Sequence, residues 1–334
     1  MADLSGRITG PSGRALPLYR AARDRGVRHA LHPANSVKKD IAVPHATIIV
    51  PAFNAAGTLP ETLRALSAQT FADFEIIVVD DGSRDDTVAV ANAQAEPRLR
   101  VVRQVNRGLA GARNTGIAHA RGACIGFCDA DDIWMPDKLA AHVAHLEANP
   151  HVGLSYSGSA LIDDASAPMG LYQRPRLRNV SAAHVFKRNP VGNGSAAVLR
   201  RAALDAIAWR PGQEKARDWW FDEGLRRSED IECWLRLALT TDWQLEGVPG
   251  ALTLYRVNGA GLSADTDAQL ASWERMVSNL EPIAPDFFAA RAPAARAYQL
   301  RYLCRRSVIA GDAGAAADLA RRMLRTSLIP LRHE

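Results

Sequence analysis

The chain has 334 residues, of which 47% are hydrophobic and 23% are charged, and its formal net charge is +5. This length and composition are typical of a soluble globular protein with one large domain, or one domain and an appendage, and exclude a disordered or fibrous chain. No apolar run approaches the roughly 20 residues that span a bilayer, and the N-terminus lacks the apolar region of a signal peptide, so we expect a cytoplasmic protein. The 4 cysteines have no metal-type spacing and are predicted to be reduced.

Basic residues are concentrated at the two ends of the chain. Residues 1–45 mix Gly, Pro, Ser and Arg with weak periodicity and are predicted to form a flexible or loosely docked arm. Residues 264–334 are predicted to be helical and to end in a hairpin of helices at about 294–310 and 313–326. Basic ends on an acidic body suit an anionic surface better than nucleic acid, so we predict peripheral contact with the inner membrane surface and no nucleic-acid partner.

The central part of the chain alternates predicted strands and helices. Apolar runs of strand length occur at residues 46–50, 74–79, 99–103 and 123–128. Helical segments separate them at residues 58–69, from about 85 onward, and at 109–120. This spacing predicts an α/β fold with a mostly parallel sheet flanked by helices, in which ligands collect at the carboxyl ends of the strands.

Three carboxylates, Asp129, Asp131 and Asp132, follow the fourth predicted strand. Acids this close repel one another unless they share a cation, and oxygen ligands favour magnesium or manganese over zinc. Asp129 and Asp131 are two positions apart, so both can point the same way from an extended chain, and Ala130 lets a ribose or phosphate approach closely. The alternative is a solvated acidic turn before the helix predicted near Pro136.

Two further polar segments are candidates for the same site. Asp81 follows the second strand, where a carboxylate can accept the N–H of a pyrimidine base, although a plain turn with a helix cap is the alternative. Arg113 stands near a helix start and can reach a diphosphate, the alternative being a surface arginine. Ser228 is predicted to cap an amphipathic helix that opens with Glu229 and Asp230, which either complement the helix dipole or supply a general base.

Five segments carry a family resemblance. In chain order they are VPAFNA (50–55), VDDGS (79–83), GARN (111–114), DADD (129–132) and SED (228–230). In this order they resemble family 2 glycosyltransferases of the GT-A fold, over residues 46–240. The resemblance implies a Rossmann-like GT-A domain at 46–263, with a donor half at about 46–135 and an acceptor half at about 136–263, followed by a C-terminal helical appendage at 264–334.

The resemblance also implies an inverting transfer from a nucleotide-sugar, here expected to be a UDP-sugar. Processive synthases that resemble this family carry Gln-x-x-Arg-Trp after the base and have membrane spans, and this chain has neither, so we expect it to add one sugar. The acceptor it implies is a lipid-linked or nascent surface glycan, such as an exopolysaccharide or O-antigen. By resemblance, Pro51, Ala52 and Phe53 border the base, Asp81 binds its ring, and Arg113 lies near the diphosphate.

The metal site and the base follow from the same resemblance. Asp129 and Asp131 flank Ala130 in an Asp-x-Asp motif that binds Mn²⁺ or Mg²⁺, with Asp131 as the direct ligand. Asp230 corresponds to the general base that deprotonates the acceptor hydroxyl. Family members often carry a histidine where this chain has Asn258, so the third protein ligand is left open and water can replace it.

Two other functions compete with the transferase. A sugar nucleotidyltransferase shares a nucleotide-binding α/β sheet and an acidic metal site, but it usually opens with a Gly-rich basic loop, which Pro51 to Asn54 do not form. A degenerate glycan-binding or nucleotide-binding module would be free to lose Asp131 or Asp230. Both acids are present.

Overall fold

The computed structural model describes residues 43–257 and 265–329. The predicted N-terminal arm, residues 1–45, lies outside this part of the chain except for its last three residues. One sheet of nine strands runs through the described domain and separates two hydrophobic cores.

The first half of the sheet is parallel, as predicted. Its elements in chain order are β1 (Ala46–Ala52), α1 (Leu59–Ser67), β2 (Phe74–Asp80), α2 (Thr87–Asn92), β3 (Leu99–Arg103), α3 (Gly108–His119) and β4 (Cys124–Phe127). β2 lies between β3 and β1, and β1 also pairs with β4, all in parallel register. The carboxyl ends of β1, β2 and β4 therefore meet at one edge of the sheet.

The second half of the sheet mixes strand directions. Its elements are β5 (Ile133–Trp134), α4 (Lys138–Ala148), β6 (Val152–Ile162), β7 (Pro168–Gln173), α5 (Ala182–Arg188), β8 (Ala197–Arg200), α6 (Arg201–Ile207), α7 (Glu229–Thr240) and β9 (Gln244–Arg256). β8 pairs antiparallel with β4 and β6, whereas β9 runs parallel to β6. The β4–β8 pairing brings the turn before β8 beside the acidic segment after β4, and Ser195 Oγ accepts a hydrogen bond from the Asp129 N–H at 2.9 Å.

The alternation of side chains along β1 explains how the sheet separates the two cores. Ile48 packs in the core that contains Leu63 of α1, and Ile49 packs in the opposite core with Ile117 of α3. Gly116 allows α3 to approach β1 closely, because a Cβ at this position would lie 2.3 Å from Cγ2 of Ile49. α3 is therefore fixed on the sheet, with its N-terminus at the edge where the acidic segments lie.

Three helices follow the sheet: α8 (Thr266–Leu280), α9 (Pro285–Ile309) and α10 (Ala313–Thr326). The last helix has the predicted bounds, but the helix before it begins at Pro285 instead of near residue 294. Its first turns are held because the Phe288 ring packs against Phe186 of α5, with ring centroids 5.1 Å apart. Among the described residues, none of the helices combines the length and hydrophobicity that crossing a membrane requires.

Candidate active site

Asp81 lies directly after β2 and is buried. Its Oδ1 accepts hydrogen bonds from Gln104 Nε2 at 2.6 Å and the Arg107 N–H at 2.8 Å, and its Oδ2 accepts from the Gly108 N–H at 2.9 Å. Burial raises the pKa of Asp81, although these hydrogen bonds oppose the rise. The residue predicted to bind a base therefore anchors the N-terminus of α3, where backbone N–H groups and the helix dipole favour an anion.

The end of β1 forms a rim beside Asp81. Pro51 and Ala52 are buried, whereas the Phe53 side chain is 51% exposed. The loops after β1 and β2 are joined, since the Asn54 N–H donates to Ser83 Oγ at 3.0 Å. Of the three residues predicted to border a base, Phe53 is the one that presents a face to solvent.

The acidic segment after β4 divides into accessible and buried residues. Asp129 and Asp131 are half-buried, whereas Ala130 and Asp132 are buried. Asp132 turns into the protein, where its Oδ1 accepts a hydrogen bond from the Arg256 N–H at 2.9 Å. Burial and the charge of Asp129 raise the pKa of Asp131 to about 6. Two of the three neighbouring acids, Asp129 and Asp131, are thus available to a ligand.

Arg113 projects from α3 and joins the two acidic motifs. Its Nη2 donates to Asp129 Oδ1 at 2.8 Å, and its Nη1 donates to Glu229 Oε1 at 2.7 Å. The side chain is only 2% exposed. Gly194 makes room for it, because a Cβ there would lie 2.1 Å from Nη2 of Arg113. The arginine predicted to lie near a diphosphate is therefore already bound by two carboxylates.

The start of α7 carries the second acidic motif. Burial raises the pKa of Glu229 to about 7, with Arg113 opposing the rise. Burial also raises the pKa of Asp230, which is half-buried and faces the cleft described below. Ser228 occupies the N-cap position as predicted, but the capping role is wrong: its φ is 61°, in the left-handed region, and its side chain makes no capping hydrogen bond. Two contacts are made at this turn: Glu229 pairs with Arg113, and the Glu232 N–H donates to the Ser228 carbonyl at 2.9 Å.

Asn114, next to Arg113, was not predicted to have a role. Its Oδ1 accepts from the backbone N–H groups of Trp220 and Phe221, at 2.9 Å and 2.8 Å. Its Nδ2 donates to the Phe221 carbonyl at 2.8 Å and to Glu223 Oε1 at 2.9 Å. Consecutive residues of α3 thus hold both the start of α7 and the chain that leads into it.

The sequence analysis also did not predict a buried network of polar side chains behind the acidic segment. Lys138 of α4 is fully buried, and its Nζ donates to the Ala196 carbonyl at 3.1 Å and lies 3.4 Å from His142 Nε2. His142 Nδ1 lies 2.7 Å from Ser155 Oγ. Burial lowers the pKa of Lys138 to about 7, although the charge of Asp132 opposes the change. A signal was present in the sequence, since a lysine and a histidine four residues apart interrupt the apolar face of α4.

Asp129 and Asp131 fit a hard divalent cation, because both supply carboxylate oxygens. The raised pKa of Asp131 arises from burial and from repulsion by Asp129, and a bound cation relieves both. Arg113 already binds one oxygen of Asp129, which favours Asp131 as the direct ligand. Within the described ranges, no group of three or more His, Cys, Asp or Glu side chains is arranged to hold a metal ion. Asn258, the position left open for a third ligand, lies outside the described residues. Among those described, Asp129 and Asp131 would leave the other coordination positions to substrate oxygens and water.

A cleft of about 760 Å³ opens beside Arg113, Asp129, Glu229 and Asp230. Its walls come from α5, the turn before β8, the start of α7, and α9. In the described structure, the ends of β1 and β2 do not line it. The cleft therefore lies on the α7 side of the acidic residues, and the rim with Phe53 lies elsewhere.

Solved structures share this fold. TarS 1–349 of S. aureus, in complex with UDP-GlcNAc, is 17% identical with a TM-score of 0.56, over 83% of this chain and 90% of that chain. The mannosyltransferase PcManGT of Pyrobaculum calidifontis, in complex with GDP-Man and Mn²⁺, is 22% identical with a TM-score of 0.54, over 90% of this chain and 86% of that chain. The described fold is that of a GT-A type domain, as expected from the sequence.

The family follows from sequence comparison. Residues 47–207 match the model of glycosyl transferase family 2. The chain is 32% identical over 140 residues to the E. coli UDP-Glc:alpha-D-GlcNAc-diphosphoundecaprenol beta-1,3-glucosyltransferase WfgD, covering 40% of this chain and 55% of that protein. The chain spans about half or less of the length of the first curated relatives that it matches. The matched range, residues 47–207, contains four of the five motifs that carry the resemblance to glycosyl transferase family 2.

Proposed function

We propose that the chain is an inverting, divalent-metal-dependent glycosyltransferase that moves one sugar from a nucleotide-sugar, a UDP-hexose, to a hydroxyl of a lipid-linked or nascent surface glycan. The observation that carries the proposal is the Arg113 bridge, which joins Asp129 of the first acidic motif to Glu229 of the second, beside one cleft. The relatives support a nucleotide-sugar donor, since TarS is seen with UDP-GlcNAc and WfgD is named for UDP-Glc.

The donor would bind at the carboxyl edge of the parallel strands. Asp129 and Asp131 would hold the metal, and a bound divalent cation neutralises the charge that develops on the diphosphate leaving group. The exposed ring of Phe53 offers a stacking surface for the base. Asp81 accepts three hydrogen bonds, two of them from the start of α3, and its carboxylate retains one acceptor position for a base N–H.

Asp230 is the proposed general base. It lines the cleft, and burial raises its pKa toward the range in which a carboxylate removes a proton effectively. As the acceptor hydroxyl oxygen bonds to the anomeric carbon, Asp230 takes the hydroxyl proton and the bond from that carbon to the diphosphate oxygen breaks on the opposite face. The sugar is inverted, the nucleoside diphosphate leaves, and the proton passes to solvent.

The variant Asp230→Asn tests this assignment. Transfer should fall by roughly 10²- to 10⁴-fold, while nucleotide binding is unchanged, because the amide keeps the shape of the site and loses the base. Asp267→Asn is the matched control, since Asp267 stands in the first turn of α8 and does not line the cleft. Transfer that survives in Asp230→Asn would reject Asp230 as the base. A wild-type chain that binds nucleotide without transfer to any hydroxyl would favour the degenerate binding module.

A further inference from the structure

The cleft is acidic on one side and basic on the other. Among the described residues, its carboxylates are Asp129, Glu229 and Asp230, which surround Arg113. Nine other lysine and arginine side chains line it, namely Arg174, Arg176, Lys187, Arg188, Arg226, Arg227, Arg301, Arg305 and Arg306. The proposed chemistry gives these nine side chains no task.

The basic side is densest where α5 meets α9. Lys187 and Arg188 end α5, and their charged groups lie 4.3 Å and 4.9 Å from the ring centroid of Tyr298 on α9. Arg301 follows Tyr298 by three residues and Arg305 follows Arg301 by four, so all three share one face of α9. Lys187, Arg188, Arg301 and Arg305 are called the basic wall below.

Apolar packing beneath the basic wall holds these charges near one another. Phe186, next to Lys187, stacks on Trp273 of α8 with ring centroids 5.5 Å apart and meets the edge of Phe288 of α9 at 5.1 Å. All three rings are buried. Because these contacts fix α5 against α9, the cations on the cleft side stay close in spite of their repulsion.

Neighbouring cations shift the pKa values of two side chains at the basic wall. Burial and the charges of Arg305 and Arg188 lower the pKa of the Arg301 guanidinium. Burial alone would raise the pKa of the Tyr298 hydroxyl, but Lys187 and Arg188 lower it. A bound anion would offset the repulsion that lowers the pKa of Arg301.

We propose that the acceptor carries a phosphate or diphosphate group and that the basic wall binds this group, an inference that rests on the proposed function. Phosphate oxygens are anions that arginine and lysine bind through charge-assisted hydrogen bonds, and a multiply charged group matches several cations better than a single carboxylate does. The same cleft repels anions at its acidic side. The charge distribution therefore sets the direction of the acceptor, with its phosphate at the basic wall and its hydroxyl toward Asp230.

The diphosphate of the donor is a different group from the one assigned here. Phe53, Asp81 and Asp131 belong to the proposed donor site and do not line the cleft in the described structure, whereas Asp129 and Arg113 of that site stand at its acidic side, away from the basic wall. The basic wall is built by α5 and α9, which lie outside the donor half of the domain. The two phosphate-binding regions can therefore be tested separately.

Geranyl diphosphate is the probe, titrated by calorimetry in the presence of a chelator so that metal-dependent donor binding is suppressed. The wild-type chain should bind it, and Lys187→Gln/Arg305→Gln should weaken binding by roughly tenfold per substitution. The control Arg296→Gln/Arg325→Gln removes two charges from α9 and α10 outside the cleft and should bind as the wild type does. Asp131→Ala should also bind the probe normally, because the donor metal site is not involved.

Inorganic pyrophosphate, which lacks the lipid chain, separates the two sources of a phosphate group. Equal affinity for pyrophosphate and geranyl diphosphate would support recognition of the phosphate alone, and tighter binding of geranyl diphosphate would support a lipid-linked phosphate. No binding of either, or equal weakening in both double variants, would overturn the proposal. Loss of binding to phosphatidylglycerol vesicles in the Lys187/Arg305 variant, without diphosphate binding by the wild type, would assign the basic wall to a membrane surface instead. If UDP with Mn²⁺ binds but geranyl diphosphate does not, this inference fails and the proposed function stands.

Discussion

Arg113 of α3 and Glu229 at the start of α7 form a buried ion pair, in which Nη1 of the arginine lies 2.7 Å from Oε1 of the glutamate. The same guanidinium binds Asp129 Oδ1 at 2.8 Å. One side chain thus joins the segment after β4 to the start of α7. This contact holds the proposed donor and acceptor residues together before any substrate binds.

Replacing Arg113 by Met should lower the free energy of unfolding by about 3–5 kcal/mol, because Asp129 and Glu229 lose their buried counter-charge. The double variant Arg113→Met/Glu229→Gln should recover part of this loss, since the glutamine leaves no charge to bury. Urea unfolding of the wild type, the two single variants and the double variant measures the coupling energy. Purely additive losses would show that the two side chains do not interact directly.

Asp81→Asn should lower the free energy of unfolding by about 1–3 kcal/mol without any nucleotide, because an amide N–H₂ cannot accept from the N–H groups at the start of α3. Asp86→Asn is the matched control, since Asp86 occupies the N-cap position of α2 without a side-chain capping hydrogen bond. Urea unfolding measures the free energy of unfolding of both variants and of the wild type. A wild-type stability in Asp81→Asn, with a defect only in nucleotide binding, would assign Asp81 to the base alone.

Ser228→Gly should raise the free energy of unfolding by about 1 kcal/mol, because a left-handed backbone costs an L-residue about 1–2 kcal/mol and costs glycine little. The φ of Ser228 is 61°, and its hydroxyl makes no capping bond that would be lost. Ser228→Ala, which keeps the Cβ, should give no such gain. Thermal unfolding measures the stability of both variants against the wild type. A destabilised Ser228→Gly would contradict the assignment of strain to this position.

Lys138→Met should remove part of the pH dependence of stability. The pKa of Lys138 is lowered from 10.5 to about 7 by burial. Between these two values the unfolded chain holds the proton and the folded chain does not, so the free energy of unfolding rises with pH by about 1.4 kcal/mol per unit for one proton. Below the lower value both states are protonated, and the contribution is a constant destabilisation.

Urea unfolding between pH 7 and 10 measures this slope. The variant Lys138→Met should show a slope smaller by one proton than the wild type, and Lys215→Met, at an exposed position, should keep the wild-type slope. An unchanged slope in Lys138→Met would mean that Lys138 stays charged in the folded chain throughout this range.

The sequence predicted the parallel half of the fold because each of its strands is a short apolar run that ends at a polar cluster. The predicted third strand has the bounds of β3, and the final predicted helix has those of α10. The later strands were harder to predict, since β5 has only 2 residues and is defined by its pairing with β9. The early start of α9 depends on the contact between Phe288 and Phe186, which the local sequence of the helix does not contain.

The candidate site was likewise predictable from the sequence only in part. Asp129, Asp131 and Asp230 stand out in the sequence because acids directly beside apolar runs have no role in a core. The partners of Arg113 were not predictable, because its ion pair with Glu229 joins residues 116 positions apart and depends on how α3 and α7 pack on the sheet. The basic wall was missed for the same reason, since two helices distant in sequence build it.

The most direct test of the central claim is whether a metal at Asp129 and Asp131 mediates nucleotide binding. Stability is measured with UDP, GDP, dTDP and CDP, each with Mn²⁺, Mg²⁺ or a chelator, in the wild type and in Asp131→Ala. At about 100 times its dissociation constant, UDP with metal should raise the free energy of unfolding of the wild type by about 2.7 kcal/mol. The gain should disappear with the chelator and in Asp131→Ala. Stabilisation by none of the nucleotides, or stabilisation that is indifferent to both the chelator and Asp131, would contradict the proposed transferase site.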